Sequence, residues 1–264
     1  MSERVAVIVH GASGRMGQAI LRIAAQQSDL RIVGALVRPE SALLGQPLGL
    51  TPGAADADIA YRSSLADEVR AEVVIDVAGP PAHDAALGLA RQRGIAFVSG
   101  STGLSDAQHA ALRAAAQTIP VLWSANFSLG VAVLAQLAAQ AAQWLADWDC
   151  EIVEAHHRRK LDAPSGTALL LGRSVADARA IALPVASTDR GGARKDGEIG
   201  YAVVRGGDIV GEHDVLFIGD GERIELAHRA GNRDIFARGA LRAARWITGR
   251  EPGIYTMKDV LGVG

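Results

Sequence analysis

Five apolar, β-prone residues, Val5-Ala6-Val7-Ile8-Val9, lead directly into Gly11, Gly14 and Gly17, and the chain then turns helical through Ala19 to Gln26. No other stretch restricts the fold as strongly. A short, continuous apolar run suits a strand buried on both faces of a parallel sheet. Glycines in the turn allow backbone to pass close to backbone, and the helix opens with N–H groups that lack intrahelical partners. The same grammar recurs. Arg31 to Val37 and Val73 to Ala78 read as strands, the second broken by Gly79-Pro80-Pro81. Ala82 to Arg93 reads as a helix, Ile95 to Val98 as a strand, Ser105 to Thr118 as a helix capped by Ser105, and Pro120 to Trp123 as a strand. Alternating βα units of this length imply an α/β chain with a doubly wound, Rossmann-type parallel sheet.

After Asn126 the pattern changes. A long helix is expected from Leu129 to Ala146, then a strand (Glu151 to Ala155), a basic loop, and a helix from Ser165 to Ala178. Pro184 to Glu198 is polar and Gly-rich, and reads either as a solvated connector or as a mobile loop that closes on a ligand. Ile199 to Arg205, Asp214 to Ile218 and Arg223 to Ala230 are strand-like and closely spaced, which points to a second α+β domain with a mixed or antiparallel sheet. An apolar-striped helix, Asn232 to Thr248, follows.

Composition narrows the function classes. The 264 residues are 49% hydrophobic and 21% charged, with a formal net charge of -2, so nothing in the overall balance points to nucleic acid or an anionic membrane. Gln136, Gln140 and Gln143 interrupt the longest apolar stretch, which reads as a buried or interface helix and not a membrane span. Cys150 is the sole cysteine, and the N-terminus carries no signal-peptide pattern. A cytoplasmic location is the default expectation. His83, His109, His213 and His228 show no metal-ligand spacing, so no metal site and no site role is expected for them.

Two segments carry chemistry. Gly11-Ala12-Ser13-Gly14-Arg15-Met16-Gly17, placed between a first strand and a helix, reads as a dinucleotide-binding turn, although the spacing is GxxGxxG. The plain alternative is a tight turn without a ligand. At the end of the second strand Val37 cannot accept a hydrogen bond from an adenosine ribose, whereas Arg38, with Arg15, could face a 2′-phosphate. NADPH is therefore expected ahead of NADH; the alternative is that Glu40, after Pro39, reaches the ribose hydroxyl. The other segment runs from Glu154 to Ala168 and contains His156, His157, Arg158, Arg159 and Lys160, then Pro164-Ser165-Gly166-Thr167 ahead of a helical pattern. It offers proton donors and a helix N-terminus suited to an anion. A solvated basic turn is the plain alternative.

These motifs occur in order with Gly100-Ser101-Thr102-Gly103, Ser124-Ala125-Asn126-Phe127-Ser128 and a tail from Gly253 to Leu261. Together they resemble the dihydrodipicolinate (4-hydroxy-tetrahydrodipicolinate) reductase family over essentially the whole chain. The resemblance implies an NAD(P)H-dependent oxidoreductase of lysine biosynthesis acting on a cyclic imine with two carboxylates. Gly11, Ala12, Ser13, Gly14, Arg15 and Met16 would bind the pyrophosphate, and Arg38 the adenosine ribose or its phosphate. Gly100, Ser101 and Thr102, with Ser124, Ala125, Asn126 and Phe127, would surround the nicotinamide. His156 and Lys160 would be the acid residues, and His157, Gly166 and Thr167 would contact substrate carboxylate, with Arg233 a weaker candidate. The family pattern also implies a discontinuous cofactor domain, 1–127 and 237–264, around a substrate-binding and oligomerisation domain, 128–236, in a homotetramer. Asp76-Val77-Ala78 departs from the family's more usual Asp-Phe-Thr or Asp-Phe-Ser.

Two rivals stand beside this reading. Another Rossmann-type dehydrogenase of amino-acid metabolism would share the cofactor half but not the His156-to-Thr167 run. A non-catalytic NADPH sensor would need neither His156 nor Lys160.

Overall fold

The computed structural model describes residues 4–49, 59–182, 188 and 191–262. The chain divides into two compact units, one of residues 1–127 and 234–262, the other of 128–233. The return to the first unit falls at Asp234, not at 237, because Asp234 opens a helix and pairs with Arg22 at 2.7 Å within that unit.

In the first unit the elements run β1 (Val5–His10), α1 (Arg15–Ala24), β2 (Leu30–Leu36), β3 (Tyr61–Arg62), β4 (Val73–Asp76), α2 (Pro80–Arg93), β5 (Ala96–Ser99), α3 (Asp106–Ala115) and β6 (Pro120–Trp123). The second unit contributes α4 (Leu129–Trp144), β7 (Asp149–His156), α5 (Gly166–Ala178), β8 (Ile199–Arg205), β9 (Glu212–Gly219) and β10 (Glu222–Arg229). The chain then adds α6 (Asp234–Ile247), β11 (Gly253–Tyr255) and α7 (Met257–Leu261) to the first unit.

The first sheet has seven strands in the order β11-β6-β5-β4-β1-β2-β3. All its pairings are parallel. Its middle strands are buried along their length, as continuous apolar runs require when helices cover both faces. Ala86, Leu87 and Ala90 of α2 and Leu112 and Ala115 of α3 pack over Ile8, Val74, Phe97 and Val121, while α1 packs on α6. Strand order reverses between β4 and β1, so the crevice beyond their C-terminal ends is the place where this topology admits a ligand. The Gly79-Pro80-Pro81 run lies past the end of β4, as expected, and its prolines also start α2, since proline at the first helical positions gives up only an N–H that would be unpaired.

The second unit is a four-stranded mixed sheet, β10-β9-β7-β8, with β7 parallel to β8 and antiparallel to β9. Along β7 every second residue is buried, and Cys150 and Ile152 join Ala138 and Ala142 of α4 and Leu171 and Val175 of α5 in one core. Gly172 of α5 lies against the Tyr201 ring, where a Cβ would meet the hydroxyl at 1.8 Å. Residues 184–187, 189 and 190 of the segment expected to be mobile lie outside the described residues. Beyond them Arg194 is not free: it pairs with Glu151 and with Asp149, and donates to the carbonyls of Cys150 and Glu198.

Candidate functional site

In the first unit the Gly-rich turn sits at the reversal point. Gly11 has φ +84°, and a Cβ there would fall 2.7 Å from the Ala78 backbone. At Gly17 a Cβ would meet the Gly11 carbonyl at 2.3 Å. The turn can therefore close only with glycine at both positions. Gly14 caps α1 without any side-chain hydrogen bond, and Ser13, Gly14 and Arg15 are exposed, so the helix N-terminus presents its N–H groups outward. Ala12 is buried beneath them. Val37 is buried and Arg38 exposed just past β2.

Next to the turn lies a cavity of about 270 Å³ lined by Met16, Val77, Gly100, Ser124, Ala125, Asn126, Phe127 and Phe236. A Cβ at Gly100 would strike the Phe127 ring at 2.6 Å, and one at Gly239 of α6 would meet the Phe127 carbonyl at 1.8 Å. The cavity wall is therefore built on two glycines. Thr102 is exposed. Ser101 is buried, with its hydroxyl given to Asp76 at 2.8 Å and accepting from the Gly79 N–H, and its carbonyl accepts from the Trp123 indole. Ser101 thus braces the loop from behind, while Gly100 reaches the cavity. Val77, which stands where the family more usually has Phe, lines the cavity, and so does Phe236, which carried no signal in the sequence. A slot walled by apolar side chains next to a glycine-lined helix N-terminus fits a dinucleotide with a flat ring at one end.

Asp76 organises this end of the unit. Its carboxylate accepts from His10 Nδ1 (3.1 Å), His83 Nδ1 (2.9 Å), the hydroxyls of Ser99 (2.9 Å) and Ser101 (2.8 Å), and the Ala78 N–H (3.2 Å). Burial alone would raise its pKa, but the hydrogen bonds from His10, His83 and Ser101 prevail and hold it well below the usual carboxylate range. His83, expected to lie apart from any site, belongs to this cluster.

In the second unit the alternation of β7 continues past the core row, so that Glu154 and His156 follow Cys150 and Ile152 on the same face. Glu154 is 1% exposed. Its carboxylate accepts from His156 Nδ1 (2.6 Å), the Ser165 N–H (3.0 Å) and both terminal nitrogens of Arg205 (2.7 Å each). Burial raises its pKa, yet the bonds from Arg205 and His156 outweigh that and leave it lowered. His213 pairs across the ladder with Glu154, and its Nε2 lies 3.2 Å from the Ser165 hydroxyl. Burial, then the charge of His156, pushes the His213 pKa down to about 4. His213 too was given no site role from sequence.

The remaining residues expected on the substrate side lie in the same unit. Lys160 Nζ is 2.9 Å from Asp162. Gly166 is exposed as the first residue of α5, Thr167 is half-buried beside it, and Ser165 caps the helix through the Ala168 N–H. The pKa of His157 is lowered, chiefly by burial and then by the cations Arg233 and Arg159. The structure thus places an imidazole and a helix N-terminus on the Glu154 carboxylate, and links Lys160 to it through Asp162, whose carbonyl accepts from Arg205.

Comparison with known proteins decides the family. The profile described as "Dihydrodipicolinate reductase, N-terminus" matches residues 5–127, and "Dihydrodipicolinate reductase, C-terminus" matches 130–261. The chain belongs to the dihydrodipicolinate reductase family. It is 50% identical, over 97% of both chains, to the 4-hydroxy-tetrahydrodipicolinate reductase of Stenotrophomonas maltophilia (strain R551-3). Identity is 47% to the enzyme of the same name from Rhodopseudomonas palustris (strain TIE-1), over 100% of this chain and 99% of that one. The dipicolinate-bound dihydrodipicolinate reductase from Paenisporosarcina sp. TG-14 superposes with a TM-score of 0.76 at 25% identity, covering 96% of this chain and 97% of the other. Members of this family are NAD(P)H-dependent oxidoreductases, and the chain is an enzyme of that class. Among the described residues no helix is long and apolar enough to cross a membrane.

Proposed function

We propose that the chain reduces 4-hydroxy-tetrahydrodipicolinate, or its dehydrated ring dihydrodipicolinate, to tetrahydrodipicolinate with NADPH in the diaminopimelate route to lysine. The observation that carries this reading is the Glu154 carboxylate, which receives both the His156 imidazole and the backbone N–H of Ser165 at the start of α5. Proton donor and anion-binding helix end are thereby built from one buried group. The relative that holds dipicolinate, a planar ring with two carboxylates, supports a substrate of that class.

A bound reduced nicotinamide would supply the hydride for the unsaturated ring. Lys160 delivers the proton from Nζ as negative charge builds toward the ring nitrogen, with His156 the second donor. His157, Gly166 and Thr167 take a substrate carboxylate at the N-terminus of α5. Gly11 through Met16 would hold the pyrophosphate, and Gly100 and Thr102 with Ser124 to Phe127 would hold the nicotinamide end, while Ser101 supports that loop from behind through Asp76. The exposed Arg38 beside the buried, non-accepting Val37 favours NADPH, with NADH a poorer donor. A homotetramer formed through the second unit's sheet belongs to the same proposal. Val153, Val204 and Leu216 alternate away from the helix-covered row, and Val204 is 49% exposed. The buried lone thiol of Cys150 suits a cytoplasmic protein.

A coupled assay tests the assignment, with dihydrodipicolinate synthase generating the unstable substrate in place. Oxidation of NADPH that depends on the synthase product, faster than that of NADH, is expected. NADPH binding without oxidation would sink the assignment and favour a sensor.

A further inference from the structure

We propose that Glu154 is a positioning residue that fixes His156 as its Nδ1–H tautomer, and that Arg205 holds Glu154 in place to do so. The inference rests on the proposed reductase reading for its kinetic consequence, but its structural half stands without it.

An imidazole has two nitrogens, and the partner of one decides what the other can do. His156 Nδ1 lies 2.6 Å from Glu154 Oε2. An ionised carboxylate accepts only, so Nδ1 must carry a hydrogen. That leaves Nε2 as the nitrogen that exchanges protons. A doubly protonated His156 would give up the Nε2 proton and keep the one on Nδ1, returning to the tautomer it started from. The ring edge is kept open on this side by Gly211, where a Cβ would stand 3.0 Å from Nε2.

Glu154 could not serve if it were free to turn or to protonate. Arg205 spans it in a fork, one nitrogen on each oxygen at 2.7 Å, the planar geometry that suits guanidinium and carboxylate. The Arg205 nitrogen that bonds Oε1 also reaches the Asp162 carbonyl at 2.8 Å, so the guanidinium ties the loop that carries Lys160 to the same carboxylate. The Ser165 N–H takes the remaining place at 3.0 Å. Four donors thus fill one buried carboxylate, and three of them are not histidine. A purely structural ion pair would need only Arg205; the short bond to an imidazole whose second nitrogen is left for other chemistry is the feature that a structural pair does not require. Across the ladder His213 stays neutral near pH 7, with its pKa near 4, and adds no competing charge.

The test uses histidine ¹⁵N chemical shifts, with the His156 signal assigned by its loss in His156→Gln, together with steady-state kinetics. In the wild-type protein the neutral His156 ring should show a protonated Nδ1 and a bare Nε2. Glu154→Gln puts an amide between a guanidinium and an imidazole, and should lose that tautomer bias. It should lower kcat by at least about tenfold, short of the roughly 10²–10⁴-fold expected for losing a general acid, with the KM for NADPH nearly unchanged. Arg205→Lys keeps the charge but loses the fork, and should shift both readouts in the same direction by less. Glu151→Gln removes a carboxylate of the same strand that pairs with Arg194, and should leave kcat and tautomer as they are. A bare Nδ1 in the wild-type ring would overturn the proposal whether or not any variant folds. So would a wild-type kcat in both Glu154→Gln and Arg205→Lys. Absence of turnover in the wild-type protein would instead strike the reductase reading, and the tautomer measurement would still decide the role of Glu154.

Discussion

Each unit buries one carboxylate near the C-terminal end of a strand, and the two carboxylates are put to different uses. Asp76, at the end of β4, collects donors from His10, from Ala78, and from Ser99 and Ser101. These lie at or just past the C-terminal ends of β1, β4 and β5, so Asp76 fastens the ends of three strands to one another around a cavity. Glu154, in β7, collects a guanidinium, a helix N-terminus and one imidazole. It fastens a single titratable ring whose far nitrogen is left for chemistry. Neither anion is tolerated for its own sake. Burial of an ionised carboxylate costs several kcal/mol unless hydrogen bonds replace its water, and both are saturated with donors. The lesson is that a buried acid near a strand end braces loops in one unit and a single imidazole in the other, and its partners tell which.

The largest effect that would break this division is kinetic. Lys160→Ala should reduce kcat by about 10²–10⁴-fold while leaving NADPH affinity nearly unchanged, measured by single-turnover oxidation and by cofactor titration. A comparable loss of cofactor affinity would mean that the second unit is not confined to the proton side of the reaction.

Acid should separate the units next. His213 is neutral in the folded state down to about pH 4, against 6.5 when unfolded, under the influence of burial, His156, Glu154, His228 and Asp214. The unfolded chain binds the extra proton in that window, so this contribution is complete above pH 6.5 and is lost as pH falls toward 4. Its size is about 3 kcal/mol. Asp76 and Glu154 have lowered pKa values, and their contributions stand above the ordinary carboxylate range and fade only below it. Hydrogen exchange between pH 7 and pH 5 should therefore show the second unit loosening first, and His213→Gln should flatten that dependence. Equal loosening of both units would contradict it.

Smaller still is the loss expected from Asp76→Asn. An amide cannot accept from every donor that now points at the carboxylate, and stability should fall by about 1–3 kcal/mol, read as a lower urea midpoint. NADPH binding should weaken with it as the cavity loops loosen, whereas the His156 ¹⁵N shifts should not move. Arg38→Ala should cost about 1.5–3 kcal/mol of NADPH affinity and leave NADH affinity unchanged. An equal effect on both cofactors would remove the 2′-phosphate from the account of Arg38.

Much of this architecture is legible in the sequence because local rules act alone there. The strand, the three glycines and the helix N-terminus follow from one another over twenty residues, and the alternation of βα units fixes the sheet. β3 and β11 escape notice because strands of two and three residues carry no period. The site is half legible. His156 and Lys160 stand out by charge, and Gly166 by its place after a capping serine. Glu154 has the correct parity, two residues before His156, but its donors come from sequence distances of 11 and 51 residues. His213 faces it only through strand register, and Phe236 reaches the cavity only because α6 returns to the first unit. Pairings of that kind are properties of the folded chain.

His156→Ala, examined by single-turnover NADPH oxidation beside direct NADPH binding, tests the central division most directly. The account predicts an NADPH Kd within about twofold of wild type and an oxidation rate lower by about 10²-fold or more. An oxidation rate close to that of wild type, or a Kd that worsens as much as the rate, would contradict it.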